Sequence, residues 1–140
     1  MTSVKDELAN LKTDEQVYKY VRDFLINQNK KSENRNDGCA YRGEDGTKCA
    51  IGCLILDEFY DETFEGGLPN EQTGTRGKRI IEAISKSLPN WIFNIKLIEN
   101  VQEIHDSYEP YSWKYEFNRR EEKYGWFTYH YYMNQSNMQQ

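Results

Sequence analysis

The three cysteines, Cys39, Cys49 and Cys53, and the adjacent pair His105-Asp106 are the side chains with the widest chemical scope. Three thiolates, with His105 or His130 as a fourth ligand, would build a tetrahedral zinc centre. The spacing suits it poorly. Zinc motifs usually pair their cysteines on a turn and repeat the pair elsewhere. Cys39 stands alone, and Cys49-Ala-Ile-Gly-Cys53 falls in an apolar run. Buried structural cysteines are the favoured reading, so no metal is assigned. Cys39 or Cys49 with His105 and Asp106 would also supply a nucleophile, a base and an orienting carboxylate. Neighbouring residues on a helix point about 100° apart, which argues against His105 and Asp106 serving one site. No catalytic residue is assigned.

Two further clusters carry charge. Asp57/Asp61 and Glu58/Glu62 are each four residues apart and would share a helical face, enough to hold a magnesium ion. Without a phosphate clamp beside them, a solvated acidic face is the simpler reading. Gly74-Thr-Arg-Gly-Lys-Arg79 sets glycines and three cations ahead of a helix, where an anion is attracted. It is not a P-loop, because the gap between glycines is too short and no Ser or Thr follows Lys78.

The elements that must position these groups follow from periodicity and punctuation. Thr13-Asp-Glu-Gln16 is a capping box, and Val17, Val21, Phe24 and Leu25 follow at helical spacing, which predicts a helix over 14–28. Val4, Leu8 and Leu11 suggest a short helix before it. The polar run 29–38 reads as an exposed loop. Cys39 to Arg42 and Thr47 to Cys49 are expected to pair as a hairpin around Gly43-Glu-Asp-Gly46. Ala50 to Leu56 is expected to be a buried helix, with Gly52 and Cys53 packing closely on another backbone. Ile80, Ile81, Ile84 and Leu88 mark a helix over 75–88, and Leu97, Val101, Ile104 and Tyr108 mark the next. A last helix starts at Pro110 and carries Trp113, Phe117 and Arg120 on one face, and Trp126 to Met133 is rich in strand formers. The fold class is therefore α+β: a mostly helical single domain over 1–125 with a small antiparallel hairpin or sheet, then an aromatic strand and polar tail over 126–140.

A chain of 140 residues suits one core. A net charge of −5 argues against general nucleic-acid binding through phosphates. No apolar run is long enough to span a membrane, and Met-Thr-Ser-Val-Lys-Asp-Glu lacks the apolar stretch of a signal peptide. A cytoplasmic protein without a disulfide framework is expected. Eleven tyrosines within a 14% aromatic content give polar-tipped stacking surfaces suited to interfaces and ligand pockets.

The segment from Cys39 onward resembles a group of small phage and prophage proteins, mostly without an assigned function. The resemblance rests on Cys39, Tyr41 and Arg42, on Lys48 to Ile55, and on Asp57-Glu58 with Tyr60. It continues through Glu65-Gly66, His105-Asp106 and Trp113, and covers roughly residues 14–117. Leu68 to Gly77 and the aromatic tail depart from the pattern. The resemblance implies an accessory role in the host cytoplasm. The chain would counter host defence by sequestering a nucleotide-derived signal, ADP-ribose-like or a cyclic nucleotide, or by inhibiting a defence protein. The residues expected to bind are Tyr41, Arg42, Arg76, Lys78, Arg79, His105 and Trp113, with no cofactor. The alternative is a small Cys-His or metal-dependent hydrolase acting on a nucleotide. Homo-oligomerisation through the aromatic tail is a further expectation.

Overall fold

The computed structural model describes residues 2–34, 38–70 and 74–124. Five helices form within them: α1 (Val4–Ala9), α2 (Asp14–Gln28), α3 (Thr75–Ser87), α4 (Ile95–Ser107) and α5 (Pro110–Tyr124). One antiparallel pair joins β1 (Glu33–Asn34) to β2 (Gly38–Cys39), with Glu33 opposite Cys39 and Asn34 opposite Gly38. Single 3₁₀ turns occupy Gly52–Leu54, Asp57–Phe59 and Glu62–Phe64. This is the α+β, mostly helical architecture expected. The expected C-terminal strand and its self-association lie outside the described residues.

Helix α2 starts as its sequence dictates. Thr13 accepts the Gln16 N–H, and the Gln16 side chain accepts the Thr13 N–H in return. Asn29 closes the other end in the left-handed region, at φ 53°. Asn94 caps α4 by accepting from Lys96 and Leu97. Helices α2, α4 and α5 pack on one another through Val17, Val21, Leu25, Leu97, Val101, Ile104, Trp113 and Phe117, all buried. The Tyr18 hydroxyl donates to the Phe117 carbonyl at 2.7 Å, which fixes α5 against α2. Asp14 accepts from the Trp91 indole and the Asn94 amide, and so ties the α3–α4 connection to the start of α2.

The hairpin expected over 39–49 forms only at its tip. Gly43 N–H donates to the Thr47 carbonyl and Gly46 N–H to the Gly43 carbonyl, with Gly46 at φ 83°. The flanks do not pair, because the N–H groups of Tyr41 and Arg42 donate to the two carboxylate oxygens of Glu65. Cys39 pairs backward with Glu33 instead, so part of the polar run read as a loop carries the sheet.

The buried helix expected over 50–56 is likewise a turn and one 3₁₀ turn, although all seven residues are buried. Its polar backbone is satisfied from outside. Ile51 N–H donates to the Gln102 side chain, Leu56 N–H to the Ser87 hydroxyl, and the Gly52 and Ile55 carbonyls accept from Arg42. The expected close approach at Gly52 is present: a Cβ there would collide with the Tyr41 carbonyl oxygen.

Candidate functional site

Two hollows meet at the loop Gly66-Gly67-Leu68. The larger is a cleft of about 630 Å³ between that loop and the start of α3, lined by Thr63, Thr75, Arg76 and Arg79 with Gly66, Gly67, Leu68 and Gly74. Gly74 is the N-cap and offers no side-chain acceptor, so among the described residues no side chain caps the first-turn N–H groups of α3. No acidic residue lies in that first turn. The positive end of the helix dipole therefore adds to the two guanidiniums. Arg79 is anchored: it donates to Thr63 at 2.8 Å, pairs with Asp61 at 3.4 Å and lies 5.5 Å over the Phe64 ring. Arg76 is exposed, and its guanidinium has no hydrogen-bond or ion-pair partner among the described residues. Its aliphatic stem runs over Gly67, where any Cβ would strike it.

The smaller hollow, about 140 Å³, is lined by Cys39, Tyr41, Cys49, Ile51, Gln102 and Asp106 with the same loop. Cys39, His105 and Asp106 come together there, their donor atoms all within 4.8 Å. The sequence argument against this meeting fails because the short Asp106 side chain turns back onto its neighbour's ring. Both partners address one nitrogen. Nδ1 of His105 is 2.9 Å from Asp106 and 3.7 Å from the Cys39 sulfur, and Nε2 accepts the Ser32 N–H at 3.1 Å. A neutral ring with Nε2 engaged carries its proton on Nδ1. No lone pair remains there to deprotonate Cys39 or to bind a metal. A catalytic triad uses the two nitrogens separately, which this arrangement does not do.

Gln102 completes the cluster by donating to Cys39 at 3.0 Å and to Asp106 at 2.9 Å. Contact with Cys49, then burial, pushes the Cys39 thiol well above its ordinary range, against the pull of His105. Burial alone lifts Cys53 to about 12. Burial opposes a charge on Asp106, yet hydrogen bonds from His105 and its neighbours hold its carboxyl below the usual value.

The seven expected binding residues are distributed unevenly. Arg76 and Arg79 meet in the cleft, while Lys78 is exposed on α3 and does not line it. Tyr41 is buried and donates its hydroxyl to the Gly67 carbonyl at 2.6 Å, which holds the loop between the hollows. Every donor group of Arg42 is engaged: Tyr41, Gly52, Ile55 and Asp57 accept from it, and its guanidinium stacks 4.7 Å over Tyr60. Trp113 is fully buried, stacks on His105 at 5.4 Å and donates to the Tyr108 carbonyl. Of these, Tyr41 lines the smaller hollow and Arg76 and Arg79 line the cleft, while Arg42, His105 and Trp113 line neither and serve as packing and hydrogen-bonding supports. Sequence reasoning missed Glu65 and Gln102, which hold the two hollows in shape. The Glu65-Gly66 step and the Gln102/Asp106 spacing of four were the available signals. Compared with known protein families, curated proteins and solved structures, the chain matches none.

Proposed function

We propose that this protein is a binding protein that takes a phosphate-bearing, nucleotide-derived ligand in the cleft between Gly66-Gly67 and the start of α3. The carrying observation is Arg76, whose guanidinium lines the cleft beside Arg79 with no partner of its own among the described residues. Arginine offers a planar pair of donors to phosphate oxygens, and the α3 N-terminus adds backbone donors. Thr75 also lines the cleft, while the Thr63 hydroxyl is already committed to Asp61 and Arg79. The cleft volume of about 630 Å³ falls inside the range of roughly 300–1,000 Å³ usual for small-molecule sites. The setting we propose, an infected cell, is the one that the sequence resemblance from Cys39 onward would imply. There the chain would lower the free concentration of an ADP-ribose-like or cyclic-nucleotide signal by mass action. Nothing in the shared use of Nδ1 by Cys39 and Asp106 favours the hydrolase alternative.

Calorimetry against ADP-ribose derivatives and cyclic dinucleotides tests the proposal, with mass spectrometry of any molecule carried through purification. At least one of these ligands is expected to bind, and Arg76→Ala to weaken it by about tenfold or more, the loss of one charge-assisted contact. If none binds, sequestration fails. Inhibition of a defence protein is then the surviving reading.

A further inference from the structure

Helix α5 buries Trp113 and Phe117 and turns Tyr111 and Tyr115 outward, 86% and 71% exposed. The two tyrosines are four residues apart, so their rings lie side by side on the outer face of the helix. From Tyr18 to Phe117 every other aromatic side chain is buried or half-buried. No hydrogen bond, ion pair or ring contact among the described residues engages either tyrosine. Helix α5 ends at Tyr124. The sequence then runs Gly125-Trp-Phe-Thr-Tyr-His-Tyr-Tyr-Met133, the densest aromatic stretch of the chain.

We infer that the outer face of α5 is the docking site of residues 126–133 of the same chain, with Tyr129 over Tyr115 and Tyr131 over Tyr111. The length of this segment and the place where it begins fix the occupant. Glycine takes the left-handed turn with which a chain commonly leaves a helix, and Gly125 stands at that position. Tyr115 and Tyr111 lie ten and fourteen residues before Gly125, about 15 and 21 Å back along a helix rising 1.5 Å per residue. Tyr129 and Tyr131 lie four and six residues after it, about 13 and 20 Å along an extended chain rising 3.3 Å per residue. The two pairs therefore come into register. Alternate side chains of an extended segment share a face, so Phe127 and Met133 would meet the helix with them. The contact would take the open ring faces of Tyr111 and Tyr115 out of water and leave their hydroxyls in it. Attachment favours this segment over a free partner, because a short tether holds it at an effective concentration on the order of millimolar.

The experiment is chymotrypsin digestion of the full chain under native conditions, with mass spectrometry timing the cuts within 126–133. These cuts are expected to be slow, at a rate independent of protein concentration. The double variant Tyr111→Lys/Tyr115→Lys is expected to speed them about tenfold, because cleavage follows the population of undocked segment. Both side chains project into solvent, so the substitutions leave the core unaltered. Tyr111→Phe/Tyr115→Phe keeps the rings and is expected to keep the cuts slow. Ile92→Lys, at another exposed apolar side chain, is expected to change the rate by less than about twofold. Cuts as fast in the native chain as in the lysine double variant overturn the inference, as does an equal acceleration by Ile92→Lys. Protection that rises with protein concentration also overturns it, because the segment would then lie on a second copy.

Discussion

The backbone N–H of Ser32 donates to Nε2 of His105 across 3.1 Å, and that bond decides what the histidine can do. It consumes the one lone pair that a neutral ring protonated on Nδ1 would offer. The Nδ1 proton then faces Asp106, with Cys39 beyond it. The cluster is a polar tie between the end of α4 and the residues leading into β1. The ring keeps no free lone pair with which to act as a base. Nitrogen NMR of the ring is expected to show the Nδ1-protonated tautomer at neutral pH. A ring protonated on Nε2 instead would reopen the nucleophile reading.

Cys39 should accordingly behave as an inert thiol. Contact with Cys49 and burial both disfavour its thiolate. Alkylation by iodoacetamide at about pH 7 is expected to be at least tenfold slower than for a free cysteine. A faster reaction would show that His105 and Gln102 stabilise the thiolate more than its surroundings oppose it.

The helices were legible in the sequence because their stabilising groups are local. Thr13 and Gln16 cap within four residues, and the apolar stripes of α3 and α4 repeat within each helix. The segment 39–56 was not legible, because its backbone partners come from far along the chain. Glu65 takes the N–H groups of Tyr41 and Arg42, Gln102 takes that of Ile51, and Ser87 takes that of Leu56. Periodicity has no access to such bonds, so a turn held by side chains reads as a strand or a helix. The basic start of α3 was visible as composition. Only the structure separates Arg76 and Arg79, which enter the cleft, from Lys78, which does not.

Arg42 is the principal tie of that segment. Its guanidinium donates to three carbonyls and to the Asp57 carboxylate. Lysine cannot reproduce the planar fork, so Arg42→Lys is expected to cost about 2–3 kcal/mol of stability in urea unfolding. Glu65→Gln should cost a similar amount, because the amide offers one acceptor where Tyr41, Arg42 and the Tyr60 hydroxyl now share two oxygens. A loss below about 0.5 kcal/mol for both would mean the loop holds its shape by packing alone.

Gly52 tests that packing directly. Its α-carbon faces the Tyr41 carbonyl too closely for a methyl group, and backbone cannot swing aside as a flexible side chain would. Gly52→Ala is expected to destabilise by about 1–3 kcal/mol, the usual cost of overfilling a tight interior. Thermal unfolding measures it. An unchanged midpoint would show that the Cys39–Tyr41 strip can move away from the 3₁₀ turn without loss.

The pH dependence of stability should carry the signature of Glu116. This carboxylate is 3% exposed and binds Arg119 at 2.6 Å and Arg120 at 2.9 Å. The hydrogen bond from Arg119 is the largest influence. Burial works against it and Arg120 with it, and the carboxyl is held down to about 2. A depressed folded-state value means the unfolded chain binds the proton more readily. The contribution is thus fully present above the ordinary glutamate value of about 4.5 and is lost as pH falls from there toward about 2. Glu116→Gln removes the titrating group, so the variant is expected to be less stable at neutral pH by about 2 kcal/mol. It should also lose less stability than the native chain as pH falls from about 5 to about 2, the window that the two values bracket. Urea midpoints measured across that span decide the matter. Parallel curves for the two proteins would mean that Arg119 and Arg120 stabilise the carboxylate equally in the unfolded chain.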